Sequence, residues 1–194
     1  MPSTAALAAM TIAALLCAWG ARRDLQLPLW LTLAAHVCAI AATALLFGAS
    51  FAPLAGLTLA CLLTIETDRR RQLIPDAFTL AVLVLALVAP FGDSLETRAL
   101  GAVALGLTFT LIRQALTALR GVEALGWGDV KFAAAMGAAL GPIHGFAAVA
   151  VAGAATLMVV VVRARGGALA VGAPFGIGLA AATAAVALLR AVSP

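Results

Sequence analysis

Two short polar segments contain most of the groups that could do chemistry in this chain. The chain has eight acidic residues, and five of them fall in the segments 66–76 and 121–131. These five are Glu66, Asp68, Asp76, Glu123 and Asp129. Each segment lies between two long apolar stretches, so it joins the end of one predicted helix to the start of another.

Asp68 and Asp129 come from different predicted helices and are expected at the same membrane depth. When two carboxylates share a proton, one ionises much more readily than the other. The ionised partner can then activate a water molecule, and the protonated partner can polarise a peptide carbonyl. This chemistry hydrolyses amides without a metal or a covalent intermediate. The sequence contains no Ser/His/Asp set, HExxH motif or phosphate-binding loop that would favour another reaction.

Simpler interpretations exist for each carboxylate. Asp129 follows Gly126 and Gly128, which permit unusual backbone conformations and close approaches, and an N-cap role is common for aspartate at a helix start. Asp76 follows Pro75 and is predicted to be an N-cap. Asp68 lies near a helix C-terminus, where the helix dipole disfavours negative charge, so an ion pair with the following arginines is the alternative.

The remaining acidic residues are predicted to be solvated or paired at the surface. We expect Asp24 to pair with its neighbours Arg22 and Arg23. The solvated group comprises Asp93, Glu96 and Glu123.

Composition identifies the class of protein. Of 194 residues, 64% are hydrophobic and only 10% are charged, and the mean hydropathy is +1.14. A soluble domain is usually about half apolar and about a quarter charged. The numbers exclude a disordered chain, a nucleic-acid-binding domain and an ordinary cytosolic enzyme, and they predict an all-α, polytopic membrane helix bundle. The three cysteines fall in apolar stretches and are expected to be small buried side chains rather than zinc ligands or disulfides.

Uncharged runs predict about eight transmembrane helices. Two of these lie in 1–50, and the other six form a unit over 51–194. The stretch 132–162 is predicted to split near Gly141-Pro142 and Gly145. With the N-terminus outside, most basic residues lie on the cytoplasmic side, as the positive-inside rule requires. They are Arg22, Arg23, Arg69, Arg70, Arg71, Arg120, Lys131, Arg163 and Arg165.

Three elements in order resemble the type 4 prepilin peptidases, which are intramembrane GxGD aspartic proteases. The first element is Asp68-x5-Ile74-Pro75-Asp76. The second is Gly126-Trp127-Gly128-Asp129-Val130-Lys131, followed by Ala133, Gly137 and Leu140-Gly141. The third is Pro174-Phe175-Gly176. The resemblance extends from about residue 52 to residue 190.

The resemblance implies that Asp68 and Asp129 are the catalytic pair, with no cofactor. The residues that it implies support them are Gly126, Gly128, Lys131, Asp76, Pro174, Phe175 and Gly176. It also implies that the partners are the lipid bilayer and prepilins or pseudopilins, whose short basic leader is cut at the cytoplasmic face of the bacterial inner membrane. No nucleic-acid partner is expected.

One departure from the family pattern concerns methylation. Bifunctional members of the family carry a domain with paired CxxC motifs between the first two helices and also N-methylate the new terminus. Here 21–27 is a tight loop without cysteine. We therefore expect peptidase activity without methylation.

Two other functions remain open at this point. Intramembrane aspartates would also serve a small proton- or cation-coupled transporter subunit, although the chain has no internal repeat. A non-catalytic assembly protein of a pilus or secretion complex would use the same residues as helix caps.

Overall fold

The computed structural model describes residues 4–48, 51–88, 93–121, 123, 125–165 and 175–192. These residues form helices and short connections, and no strand occurs among them, which confirms the predicted all-α class. The helices are α1 (Thr4–Gly20), α2 (Leu29–Phe47), α3 (Ala52–Arg71), α4 (Asp76–Ala86), α5 (Leu95–Arg120), α6 (Trp127–Arg165) and α7 (Phe175–Val192). A π-helical turn, Ala21–Leu25, extends α1.

Three helical segments are long and apolar enough to cross a membrane. They are Thr4–Leu25, Leu95–Arg120 and Trp127–Val162. Three shorter apolar helical segments accompany them: Leu29–Leu45, Asp76–Ala86 and Phe175–Ala191. Many large apolar side chains also point outward, among them Leu45, Leu119 and Ile143. An outer surface of this kind is stable against lipid but not against water.

The expected eight separate helices become seven in the described residues. The two helices predicted for 132–162 form one helical run, α6, which is interrupted at Gly141 by non-helical angles (φ 72°, ψ 174°). A Cβ atom added at Gly145 would lie 3.6 Å from the Cα of Gly137. Residues eight apart in a continuous helix are about 12 Å apart. The two arms of α6, 127–140 and 142–165, therefore fold back against each other, at the Gly-Pro sequence where the break was predicted.

Small residues allow the helices to pack closely. The most extensive contacts join α5 to α6, α6 to α7, α1 to α4 and α3 to α7. A Cβ atom on Gly101 of α5 would overlap the carbonyl oxygen of Gly137 in α6, and the reverse also holds. The two backbones thus touch directly, as in other membrane bundles that place glycine between helices.

The cysteines divide into two groups. Cys17 and Cys61 are buried, as predicted, but Cys38 is exposed on the outer surface of α2. The prediction for Cys38 was therefore wrong, because an apolar stretch in a membrane protein can face lipid as readily as protein.

A group of polar contacts joins the helices at one end of the bundle. Arg190 of α7 donates to Asp93 at 2.7 Å and to the carbonyl oxygen of Leu140 at 3.1 Å. Arg98 of α5 donates to the carbonyl oxygens of Ala86 and Asp93. The prediction that Asp93 is solvated is therefore wrong, since its carboxylate is half-buried and ion-paired with Arg190.

Candidate active site

A polar cavity of about 520 Å³ lies at the end of the bundle opposite the Asp93–Arg190 pair. Its walls come from the turn after α1, the α3–α4 connection and the first turns of α6. Six of the predicted site residues line it: Asp68, Asp76, Gly126, Gly128, Asp129 and Lys131. The other lining residues include Trp19, Arg23, Asp24, Gln72, Ile74 and Trp127.

Asp68 is buried in the last turn of α3, with 5% of its surface exposed. Its Oδ2 accepts a hydrogen bond of 2.9 Å from the backbone N–H of Ile177 in the first turn of α7. The N-terminal dipole of α7 therefore compensates the unfavourable dipole of α3. The following arginines do not fill that role, because Arg69 and Arg70 pair with Glu66 at 2.8 and 2.5 Å.

Gly176 allows α7 to approach Asp68 closely. A Cβ atom at this position would lie 2.8 Å from Asp68 Oδ2 and 2.7 Å from Ile74 Cδ1. The residue before Gly176, Phe175, makes an apolar contact: its ring stacks on Phe109 of α5, with ring centroids 6.1 Å apart. Pro174, the remaining predicted residue of this element, lies outside the described part of the chain.

Asp129 lies in the first turn of α6 and lines the same cavity. Its Oδ2 accepts the backbone N–H of Gly126 at 3.3 Å, so the side chain reaches back to the helix start. Since α6 begins at Trp127, Asp129 is the third helical residue. It therefore makes a contact of the capping-box kind rather than acting as the N-cap itself.

Gly128 allows close contact between α6 and the α3–α4 connection. A Cβ atom there would lie 3.1 Å from Ile74 Cβ and 3.2 Å from the Ile74 carbonyl oxygen. The described glycines with positive φ are Gly48, Gly121 and Gly141, so neither Gly126 nor Gly128 has a left-handed conformation. The predicted close approach to another element occurs at Gly128. Ile74 thus contacts both Gly128 and Gly176, and joins the elements that carry Asp129 and Asp68.

Asp76 and Lys131 form an ion pair at the rim of the cavity. Lys131 Nζ lies 2.8 Å from Asp76 Oδ1, and both side chains are exposed. The prediction that Asp76 is an N-cap is wrong, because Pro75 occupies that position and no side chain caps α4. Asp76 is instead the first residue of the helix, and its carboxylate pairs with Lys131 of α6.

Two carboxylates behave differently from their predictions. Asp24 is buried, with 8% of its surface exposed, and pairs with Arg71 at 3.4 Å rather than with its neighbours Arg22 and Arg23. Glu123 is exposed but ion-paired with Arg113. The Arg113 guanidinium also lies 4.4 Å from the Trp127 ring centroid, so it holds the loop before α6.

Sequence reasoning did not identify Asp24, Ile74 or the Ile177 amide as site components. Asp24 stands beside two arginines in a short connection, which is typical of a surface pair. The one signal available was its expected position on the same side of the membrane as Asp68 and Asp129. Ile74 was part of the first motif, but nothing in the sequence indicated its contacts. The Ile177 donor is a main-chain amide, which every residue except proline has, so residue type could not identify it.

The arrangement brings two carboxylates to one cavity. Asp68 and Asp129 line it from separate helices, and carboxyl groups are among the side chains that carry out general acid–base chemistry. Within the described residues, no three His, Cys, Asp or Glu side chains come together as a metal-binding group.

Together these features define an all-helical membrane protein with an acidic cavity at one end of its bundle. The model of the type IV leader peptidase family matches residues 54–189. This match covers more than half of the chain, and the chain belongs to that family. It is therefore a membrane peptidase. No curated protein and no solved structure matches the chain.

Proposed function

We propose that this chain is an aspartic endopeptidase that removes the short basic leader of prepilins or prepilin-like pseudopilins. The observation that carries the proposal is the position of Asp68 and Asp129 on one cavity, each on a different helix. The family match supports peptidase activity in general. The aspartic mechanism is supported by the carboxylate pair itself.

In the proposed reaction the two carboxylates hold one proton between them. The ionised carboxylate removes a proton from a water molecule, which attacks the scissile carbonyl carbon. The protonated carboxylate donates a hydrogen bond to the carbonyl oxygen and later a proton to the leaving amine. Because interacting carboxylates titrate as a unit, these roles belong to the pair and not to either residue alone.

Neighbouring groups support the pair in this proposal. The Ile177 amide and the Gly126 amide each hold one oxygen of a carboxylate and leave the other oxygen for substrate or water. Gly176 and Gly128 allow the helices to approach Ile74 and bring the two carboxylates to one cavity. Lys131 and Asp76 form the rim over which a leader would enter.

We propose eight membrane crossings, with the arms of α6 counted separately, and an active site facing the cytoplasm of a bacterial inner membrane. The cavity end of the bundle carries Arg22, Arg23, Arg69, Arg70, Arg71, Arg120 and Lys131. At the other end, Arg190 pairs with Asp93 and Arg98 binds carbonyl oxygens. Under the positive-inside rule, this charge distribution supports a cytoplasmic cavity. Residues 1–50 are proposed to precede a six-helix core over 51–194.

The first experiment compares leader cleavage by the wild type and by Asp68→Asn and Asp129→Asn in liposomes. The asparagine variants keep side-chain size and remove the exchangeable charge. We expect each to lower the cleavage rate by about 10²- to 10⁴-fold, the range for loss of a general acid or base. Glu96→Gln, an exposed carboxylate at the opposite end of the bundle, is the matched control and should cleave normally.

Two outcomes would contradict the proposal. If both asparagine variants fold and cleave like the wild type, the aspartates act as helix caps and the mechanism is wrong. If the wild type cuts no basic leader while it dissipates a proton gradient in the same liposomes, the transporter function replaces the peptidase.

A further inference from the structure

Asp24 brings a buried carboxylate into the cavity from a part of the chain outside the family match. It lies in the π-helical turn after α1, whereas the match begins at residue 54. Its surface is 8% exposed, and it lines the same cavity as Asp68 and Asp129. The N-terminal helix pair therefore contributes a charged group directly to the candidate site.

The contacts of Asp24 satisfy its charge only in part. Arg71 Nη1 reaches Oδ1 at 3.4 Å, which is longer than the usual 2.7–2.9 Å for an ionic hydrogen bond. Among the residues that the structure describes, no donor reaches Oδ2 of Asp24. Oδ2 is not one of the fully buried side-chain atoms that lack a partner, and Asp24 lines the cavity, so this oxygen is open to the cavity.

The other three cavity carboxylates each have a closer partner. Asp76 binds Lys131 at 2.8 Å. Asp68 accepts the Ile177 amide at 2.9 Å, and Asp129 accepts the Gly126 amide at 3.3 Å. Asp24 is therefore the cavity carboxylate with the longest polar contact, and its second oxygen is available to a cation that enters the cavity.

We infer that Asp24 is a cation-binding subsite, which holds a lysine or arginine side chain of the leader while the peptide lies across Asp68 and Asp129. This inference rests on the proposed function. Arg71 occupies the subsite in the free protein and leaves it when the substrate cation binds. The side chain of Arg71 is suited to that exchange, since it is 41% exposed and is held by one long contact.

The competing explanation is that Asp24 and Arg71 form a structural ion pair that fixes α1 to α3. The two explanations predict opposite effects of removing Arg71 on the binding of a basic leader. If Arg71 competes with the substrate, its removal improves binding of a basic leader. If the pair is structural, removal of either partner harms the protein in the same way.

The test measures KM and kcat for two leader peptides that differ only in a lysine or a glutamine at each basic position. We expect Asp24→Asn to raise KM for the lysine leader about tenfold, as for loss of a hydrogen-bonded charge pair, with kcat less affected. Arg71→Gln should lower KM for the same leader. Glu66→Gln, a paired carboxylate on the same helix as Asp68 but outside the cavity, should leave both constants unchanged.

A charge reversal keeps the inference falsifiable if Asp24→Asn folds poorly. We expect Asp24→Lys to cut a leader with glutamate at the basic positions better than a lysine leader, which reverses the wild-type preference. Unchanged preference in a folded variant would overturn the inference. So would parallel increases in KM for Asp24→Asn and Arg71→Gln.

Failure of the subsite can be separated from failure of the proposed function by a binding measurement. Fluorescence anisotropy of the labelled lysine and glutamine leaders is measured with Asp68→Asn protein, which should bind without cutting. If the second change Asp24→Asn weakens only the lysine leader, the subsite is supported even where cleavage fails. If the two leaders bind equally well with and without Asp24, the subsite is wrong even where Asp68 and Asp129 are shown to cut.

Discussion

Asp68 occupies a position that its own helix disfavours and its neighbouring helix favours. The last turn of α3 places a negative charge near exposed carbonyl groups, whereas the first turn of α7 supplies the Ile177 N–H at 2.9 Å. The charge is therefore held by a contact between residues 109 positions apart. Gly176 makes this contact accessible because it carries no Cβ atom.

At the residue scale, Gly176→Ala tests whether this approach matters for cleavage. The new methyl group would lie 2.8 Å from Asp68 Oδ2 and 2.7 Å from Ile74 Cδ1, so α7 and Asp68 must separate. We expect leader cleavage to fall about tenfold or more, because small displacements of catalytic groups lower reaction rates strongly. The helical circular dichroism should be retained. The control is Gly153→Ala, where the added methyl group meets nothing within 4 Å, and it should leave cleavage unchanged. Equal cleavage rates for the two variants would contradict the prediction.

The sequence predicted which residues line the cavity better than it predicted which distant residues they pair with. Asp68 and Asp129 line one cavity, as expected from their places at predicted helix ends. Asp76 and Lys131 line it too, as the family resemblance implied. The burial of Asp24 could not be predicted, because its partner Arg71 is 47 positions away and local sequence suggests Arg22 or Arg23 instead. Contacts between distant elements depend on tertiary packing, which no local pattern specifies.

At the scale of elements, α5 and the first arm of α6 are held at backbone contact. Gly101 and Gly137 each exclude a Cβ atom on the other. The same α6 arm carries Asp129 in its first turn, so the contact with α5 helps to fix the helix that holds Asp129. At Gly141 the chain reverses direction, and the second arm of α6 packs back against the first.

Gly101→Ala is therefore expected to destabilise the bundle and to lower cleavage together. Overpacking between two backbones costs about 1–3 kcal/mol, and neither carbonyl can move as a side chain could. The matched control on the same helix is Gly106→Ala, whose methyl group would meet only the Ala134 side chain at 3.2 Å. Thermal unfolding in detergent should show a clear decrease for Gly101→Ala and a smaller one for Gly106→Ala. The same decrease for both variants would disprove the special role of this contact.

The interruption of α6 was predictable from Gly141-Pro142. The start of α5 was not predicted, although Ser94 caps this helix through its hydroxyl, which accepts the Thr97 N–H at 3.2 Å. The π-helical turn Ala21–Leu25 carried no such signal. Three of its five residues are charged, and only its packing against α1, α2 and α3 shows that Asp24 is buried.

The two ends of the whole molecule differ in charge and in exposure. One end has the acidic cavity with its surrounding arginines, and the other has the Asp93–Arg190 pair and Arg98 bound to carbonyl oxygens. The apolar surface between them faces lipid. A bundle with this asymmetry has one preferred orientation in a membrane with a positive-inside bias.

This orientation can be measured with single cysteines in a variant that lacks Cys17, Cys38 and Cys61. Glu123→Cys reports on the cavity end and Glu96→Cys on the opposite end, and both positions are exposed. An impermeant maleimide should label Glu96→Cys in intact spheroplasts and Glu123→Cys only in inverted vesicles. Labelling of both positions from one side would contradict the proposed topology, and the reverse pattern would place the cavity outside the cell.

The contact between Ile177 and Asp68 also affects how mutational tolerance should be interpreted at position 177. The donor is a main-chain amide, so every side chain except proline would present the same N–H to the carboxylate. A saturation scan would therefore score this position as permissive, and sequence variation among family members could leave the interaction intact. Exchange of that amide for an ester, which removes the donor while it keeps the side chain, exposes a dependence that substitutions of the side chain conceal.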